Sequence, residues 1–127
     1  MMKLKGTTTE EAYRAELQST RDYIFNTEDG RILYQSIMEK VEDFKTAYIL
    51  DWIPDQGGDF FNLIVNGETL VSIEIEEEMD FLTKDITKKV FSYESQSIKS
   101  YKKGLSKTNQ IKLEVAIDLC QIDMNKS

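Results

Sequence analysis

Asp59-Phe60-Phe61-Asn62-Leu63-Ile64-Val65-Asn66-Gly67-Glu68-Thr69-Leu70-Val71-Ser72-Ile73-Glu74-Ile75-Glu76 is the stretch on which the fold turns. Two runs rich in β-branched and aromatic residues flank Asn66-Gly67, the dipeptide that best tolerates the positive φ of a tight hairpin turn. A two-residue turn at Asn66-Gly67 would pair Phe61 with Ser72 and mix apolar with polar on one face. A three-residue loop of Val65-Asn66-Gly67, with Gly67 left-handed at a bulge, pairs Leu63 with Thr69 and Phe61 with Val71. Phe61, Leu63, Val71, Ile73 and Ile75 then share one face, and Ser72, Glu74 and Glu76 take the other. A slip of one residue would expose a whole apolar face, so the bulged hairpin is preferred.

Upstream, Tyr48, Leu50 and Trp52 alternate with Ile49, Asp51 and Ile53, which reads as a strand covered on most of both faces. Pro54 lacks a ladder donor and is expected to end it. Gly57-Gly58 reads as turn residues rather than a phosphate loop, because no helix follows. Further back, Leu33, Ile37, Val41 and Phe44 recur at helical spacing and predict one helix. Tyr13, Leu17 and Ile24 predict another, opened at Thr8-Thr9-Glu10-Glu11 by a capping box.

Downstream, Ile86 to Tyr93 predicts a fourth strand, and Ser95 to Leu105 a short helix with Ile98, Tyr101 and Leu105 inward. After Ser106 two periodicities coexist. Ile111, Leu113, Val115, Ile117 and Leu119 alternate like a strand. Leu113, Ala116, Ile117 and Cys120 keep helical spacing, with Ser106 as cap, over a stretch without Gly or Pro. The fold class that results is α+β: two N-terminal helices on a 3–4-stranded antiparallel sheet, closed by a C-terminal helix or strand. At 127 residues the chain reads as a single domain, 1–127, able to bury roughly two-thirds of its unfolded surface.

The composition limits the chemistry. There are 16 Lys and Arg against 23 Asp and Glu, no histidine and one cysteine. Histidine-dependent nucleophiles and histidine metal sites are excluded, as are internal disulfides and multi-thiolate zinc. Cys120, with no adjacent positive charge, reads as a small buried residue. Trp52 reads as core rather than as an interface anchor. No stretch is apolar and long enough for a signal sequence or a membrane span, so a soluble, cytoplasmic protein is expected.

The net charge of −7 is unevenly spread. Residues 1–80 hold 7 basic and 18 acidic side chains, a net of −11; residues 81–112 hold 8 and 2, a net of +6. Basic partners are favoured over nucleic acid or anionic membrane. Residues Glu74 to Asp80 carry five carboxylates in seven positions. Two readings stand: a solvated strand end, or a patch that meets a basic groove on another protein. Lys84, Lys88, Lys89, Lys99, Lys102, Lys103, Lys107 and Lys112 interleave with Phe91, Tyr93 and Tyr101. That pattern can bind single strands, but internal pairing to the acidic half suits the overall charge better.

Pro54-Asp55 followed by Glu74-Ile75-Glu76 loosely resembles the acidic metal site of restriction-type nucleases. That pattern has a lysine where Glu76 stands, and the resemblance is taken no further. Asp55, Asp59, Glu74 and Glu76 are the only material for a Mg²⁺-dependent enzyme; carboxylates at turns and strand ends are ordinarily just solvated. No metal, cofactor or catalysis is expected. The leading expectation is an acidic protein-binding module of bacterial immunity or antitoxin type, blocking the active site of a basic toxin such as a nuclease. Its partner-binding residues are Asp55, Asp59, Glu74, Glu76, Glu77, Glu78 and Asp80. A phage or mobile-element inhibitor or adaptor of a host nucleic-acid enzyme is the alternative.

Overall fold

The computed structural model describes residues 8–55 and 57–126, without the side chains of residues 8 and 55. The chain runs α1 (Thr8–Asn26), α2 (Arg31–Lys40), β1 (Ala47–Asp55), β2 (Gly58–Val65), β3 (Thr69–Met79), β4 (Ile86–Ser97), α3 (Ile98–Lys102) and α4 (Lys107–Asn125). The strands form an antiparallel meander in the order β1-β2-β3-β4, and helices lie on both faces, an α+β architecture.

One face packs Ile49, Phe61, Leu63, Val65, Val71, Ile73 and Ile75 under Leu33 and Ile37 of α2. The other packs Tyr48, Leu50, Ile64 and Leu70 under Leu113, Ala116, Leu119 and Cys120 of α4. Helix α1 serves both faces, with Leu17 in the α4 cluster and Ile24 in the α2 cluster. A fully buried Leu or Phe contributes roughly 1.5–3 kcal/mol, so these two layers dominate stability. The Thr8 hydroxyl of the capping box lies outside the described side chains; Glu10 holds Arg14, which also reaches Asp118 of α4. Thr46 accepts from Arg21 (3.0 Å) and donates to Asp123 (2.7 Å), while the Tyr48 hydroxyl donates to the same Asp123 carboxylate. This knot of part-buried polar groups ties the end of α4 to α1 and β1, and each partner in it is satisfied.

Several expectations are corrected. The hairpin keeps the predicted face set but not the predicted register: Val65 pairs with Thr69, Leu63 with Val71 and Phe61 with Ile73. The loop is Asn66-Gly67-Glu68, with Asn66 at φ +55° and Gly67 at φ +73°. Two consecutive left-handed residues close the turn on Val65, whose carbonyl accepts from the Glu68 amide at 3.1 Å. Helix α2 stops at Lys40, so Val41 and Phe44 reach the core from the connection after it, not from a helical face.

In β1 a bulge between Ile49 and Asp51 changes the phase of the strand. Asp51 falls on the face of Leu50, and Trp52 joins Phe61 on the other, with ring centroids 4.9 Å apart. Trp52 also packs on Tyr23 at 4.8 Å yet stays 44% exposed, so it is a half-buried lid over the sheet end rather than core. Pro54 does not end β1; it pairs opposite Asp59 in an edge strand, where a missing donor costs least. Strand β4 runs on to Ser97 and leaves α3 only five residues. The ambiguous last segment is a helix, capped by Ser106 accepting from the Asn109 amide.

Candidate functional site

The candidate residues cluster where β3 outruns β2. Strand β2 begins at Gly58, opposite Glu76, and Glu77 to Met79 pair with β4 alone. The β1–β2 turn abuts this point: Gly57 is left-handed (φ +80°), and its carbonyl accepts from the Glu77 amide at 2.7 Å. A Cβ on Gly58 would lie 2.0 Å from the Ile75 carbonyl oxygen, so only glycine permits this approach. Around it, Asp59, Phe60, Glu74, Ile75, Glu76, Glu77 and Glu78 line an open depression of about 350 Å³.

The depression brings together five of the seven expected residues: Asp59, Glu74, Glu76, Glu77 and Glu78. Strand alternation divides them, with Glu74, Glu76 and Glu78 toward the α4 side and Asp59 and Glu77 toward the α2 side. On the α2 side, burial and then the charges of Asp29, Asp59 and Glu77 hold the Tyr23 phenol above its usual range. Asp80 stands apart, its carboxylate accepting from the amides of Leu82 (2.8 Å) and Thr83 (3.3 Å). The Asp55 side chain lies outside the described residues. Asp51, a neighbour in sequence, is engaged by Asn62 (3.1 Å) and by the Tyr101 hydroxyl (2.9 Å).

The carboxylates do not stand alone. Lys88 meets Glu77 at 3.7 Å, and Lys89 meets Glu76 at 3.9 Å and Glu78 at 3.3 Å, across the β3–β4 ladder. Lys102 and Lys112 of the basic stretch pair with Glu114 and Glu16. Its aromatics are divided: Tyr93 packs under α2 and Tyr101 is bound to Asp51, while Phe91 bulges outward from β4. Tyr93 and Tyr101 are thus engaged within the fold, and Phe91 is the exposed aromatic of the three. Exposed pairs of this kind contribute only about 0–1 kcal/mol each, so the ladder shapes the field more than it stabilises the fold.

Among the described residues, no three Asp, Glu or Cys side chains are grouped to hold a metal ion, and no helix is long and apolar enough to cross a membrane. Cys120 is fully buried against the hairpin turn, with its thiol pushed up to about 12 by burial, which makes it unreactive. The feature that sequence reasoning missed is the tip of the arm beyond Glu76. Met79, Phe81, Leu82 and Ile86 are 49, 81, 93 and 62% exposed. The available signal was Phe81-Leu82 set between Asp80 and Thr83-Lys84-Asp85, an apolar pair inside a turn with no core to join. Comparison with protein-family models, curated proteins and solved structures gave no match to the chain.

Proposed function

We propose that this protein is a binding module for a basic protein, acting by occupying the partner's functional groove rather than by catalysis. The observation that carries the reading is the β2–β3 corner, where Asp59, Glu74, Glu76, Glu77 and Glu78 surround one open depression. Among the described residues two lysines, Lys88 and Lys89, are paired to this group, and the surplus charge is negative. Such a surface attracts a cationic groove and raises the encounter rate about 10- to 1,000-fold at low salt. Neutralisation of a cationic toxin, as immunity proteins and antitoxins perform it, is the form of this activity that an acidic surface of this size suits. Inhibition of a nucleic-acid enzyme would use the same carboxylates in place of phosphates.

The test is capture at low ionic strength from the native host, followed by a salt step. Recovery of one basic protein near one-to-one, lost on charge reversal by Glu76→Lys, Glu77→Lys and Glu78→Lys, is the expected result. Equal recovery by the reversed variant would refute the assignment of this corner.

A further inference from the structure

The arm formed by Glu77–Met79 and Ile86–Lys88 extends past β2, and its apolar residues Met79 and Ile86 are 49 and 62% exposed. Its loop is closed by hydrogen bonds of its own backbone and side chains. The Asp80 amide donates to the Asp85 carbonyl (2.9 Å), and the Lys84 amide returns to the Asp80 carbonyl (2.8 Å). The Asp80 carboxylate takes the Leu82 and Thr83 amides, and Thr83 accepts from the Asp85 amide at 3.2 Å. These bonds shape the backbone of the turn, on which Phe81 and Leu82 stand 81 and 93% exposed, and a preformed turn lowers the ordering cost of any contact they make.

Strand addition does not account for this surface. Edge strand β1 carries Pro54, and edge strand β4 carries a bulge at Phe91 and the lysines Lys88 and Lys89. These are the devices that keep sheet edges from pairing. A chain that blunts both edges yet leaves Phe81 and Leu82 in water has an apolar patch calling for another cover. The charge around the patch selects the cover. Glu76, Glu77, Glu78, Asp80 and Asp85 outnumber Lys84, Lys88 and Lys89, a net of −2 on the arm. That sign repels an anionic lipid surface and a second copy of the same tip; it attracts an apolar surface rimmed by cations.

We propose that Phe81 and Leu82, backed by Met79 and Ile86, form an anchor that inserts into an apolar cleft rimmed by Lys or Arg on a protein partner. This deepens the basic-partner reading and rests on it: the carboxylates steer and the tip locks, so the tip governs the off-rate.

The experiment follows backbone amide signals of the ¹⁵N-labelled full chain during titration with three synthetic helical peptides. One alternates Leu and Lys to present an apolar stripe flanked by cations; a Ser/Lys peptide keeps the charge without the stripe, and a Leu/Ser peptide keeps the stripe without the charge. Signals of residues 79–86 should shift with the Leu/Lys peptide and stay in place with the Ser/Lys peptide. Phe81→Ser with Leu82→Ser, both exposed and so not expected to unfold the protein, should weaken that binding at least tenfold. Glu76→Gln, Glu77→Gln and Glu78→Gln together should flatten its salt dependence while the tip signals still move.

Tip signals that stay in place with the Leu/Lys peptide would overturn the anchor. The basic-partner reading would still stand if the Ser/Lys peptide moved signals of residues 74–78, and would fall with the anchor if it moved none. Equal binding of the Leu/Ser peptide at the tip would overturn the cationic rim. Tip shifts produced by anionic vesicles instead, or by raising the protein concentration alone, would replace the proposed partner with a membrane or a second copy.

Discussion

Replacing Asn66 should cost this protein a sizeable part of its stability, although the residue sits in a surface turn. Its side-chain carbonyl accepts from the amides of Lys45 (2.9 Å) and Thr46 (3.1 Å), and its amide donates to the Asp43 carbonyl at 2.8 Å. One side chain therefore closes three backbone groups of the α2–β1 connection onto the β2–β3 turn. Net values of ~0.5–1.5 kcal/mol per hydrogen bond, at the low end where water can replace the partner, give a loss of about 2 kcal/mol for Asn66→Gly. Asn66→Ala loses the same bonds and must also hold φ +55° with a Cβ, adding about 1 kcal/mol. Asn66→Asp keeps both accepted bonds and should be the mildest of the three. Urea and thermal unfolding measure the series. With about 3–5 °C per kcal/mol for a chain of this size, Asn66→Ala should lower Tm by about 10 °C. An alanine variant as stable as the glycine variant would refute the left-handed turn, and losses below about 0.5 kcal/mol throughout would refute its role as a clip.

Alkaline pH should destabilise the protein with a defined sign. Burial, reinforced by Asp123 for Tyr48 and by Asp51 for Tyr101, raises both phenols, and burial raises Cys120 to about 12. Above about pH 8.5 for the thiol and 10 for the phenols the unfolded chain releases protons that the folded chain retains, so stability falls as pH rises. Urea midpoints between pH 7 and 11 should decline, with tyrosinate absorbance from these two residues arriving only on unfolding; a flat midpoint would refute this. Gly58→Ala should destabilise by about 2 kcal/mol or more, because its Cβ meets backbone rather than a yielding side chain. A melting curve within 2 °C of the parent would show that the β1–β2 turn does not dock on β3 as closely as described.

Part of the site was legible and part was not. The run from Glu74 to Glu78 could be placed on a strand with its neighbours alternating, because a period of two is a local property of the backbone. That Lys88 and Lys89 lie opposite those glutamates depends on the β3–β4 register, which no local pattern reveals. The exposure of Phe81 and Leu82 was hidden for the same reason: it follows from β3 and β4 outrunning β2, a comparison of strand lengths across the sheet.

The fold divides along the same line. Local chemistry alone determined that Phe61, Leu63, Val71, Ile73 and Ile75 share a face, that Asn66-Gly67 makes the turn, and that Ser106 caps whatever helix follows it. These depend on φ preferences, side-chain periodicity and a hydroxyl within reach of its own backbone. The bulge that turns Trp52 to the opposite face of β1 was decided only in three dimensions, where Thr20 of α1 accepts from the Ile49 amide at 3.0 Å. So was the state of the last segment, whose apolar residues keep both periodicities, with the run free of Gly and Pro favouring the helix that forms. As a strand it could add only at a blunted edge and would leave Tyr48, Leu50, Ile64 and Leu70 in water. As a helix it covers all four, and burying that face is worth more than any local preference of the segment.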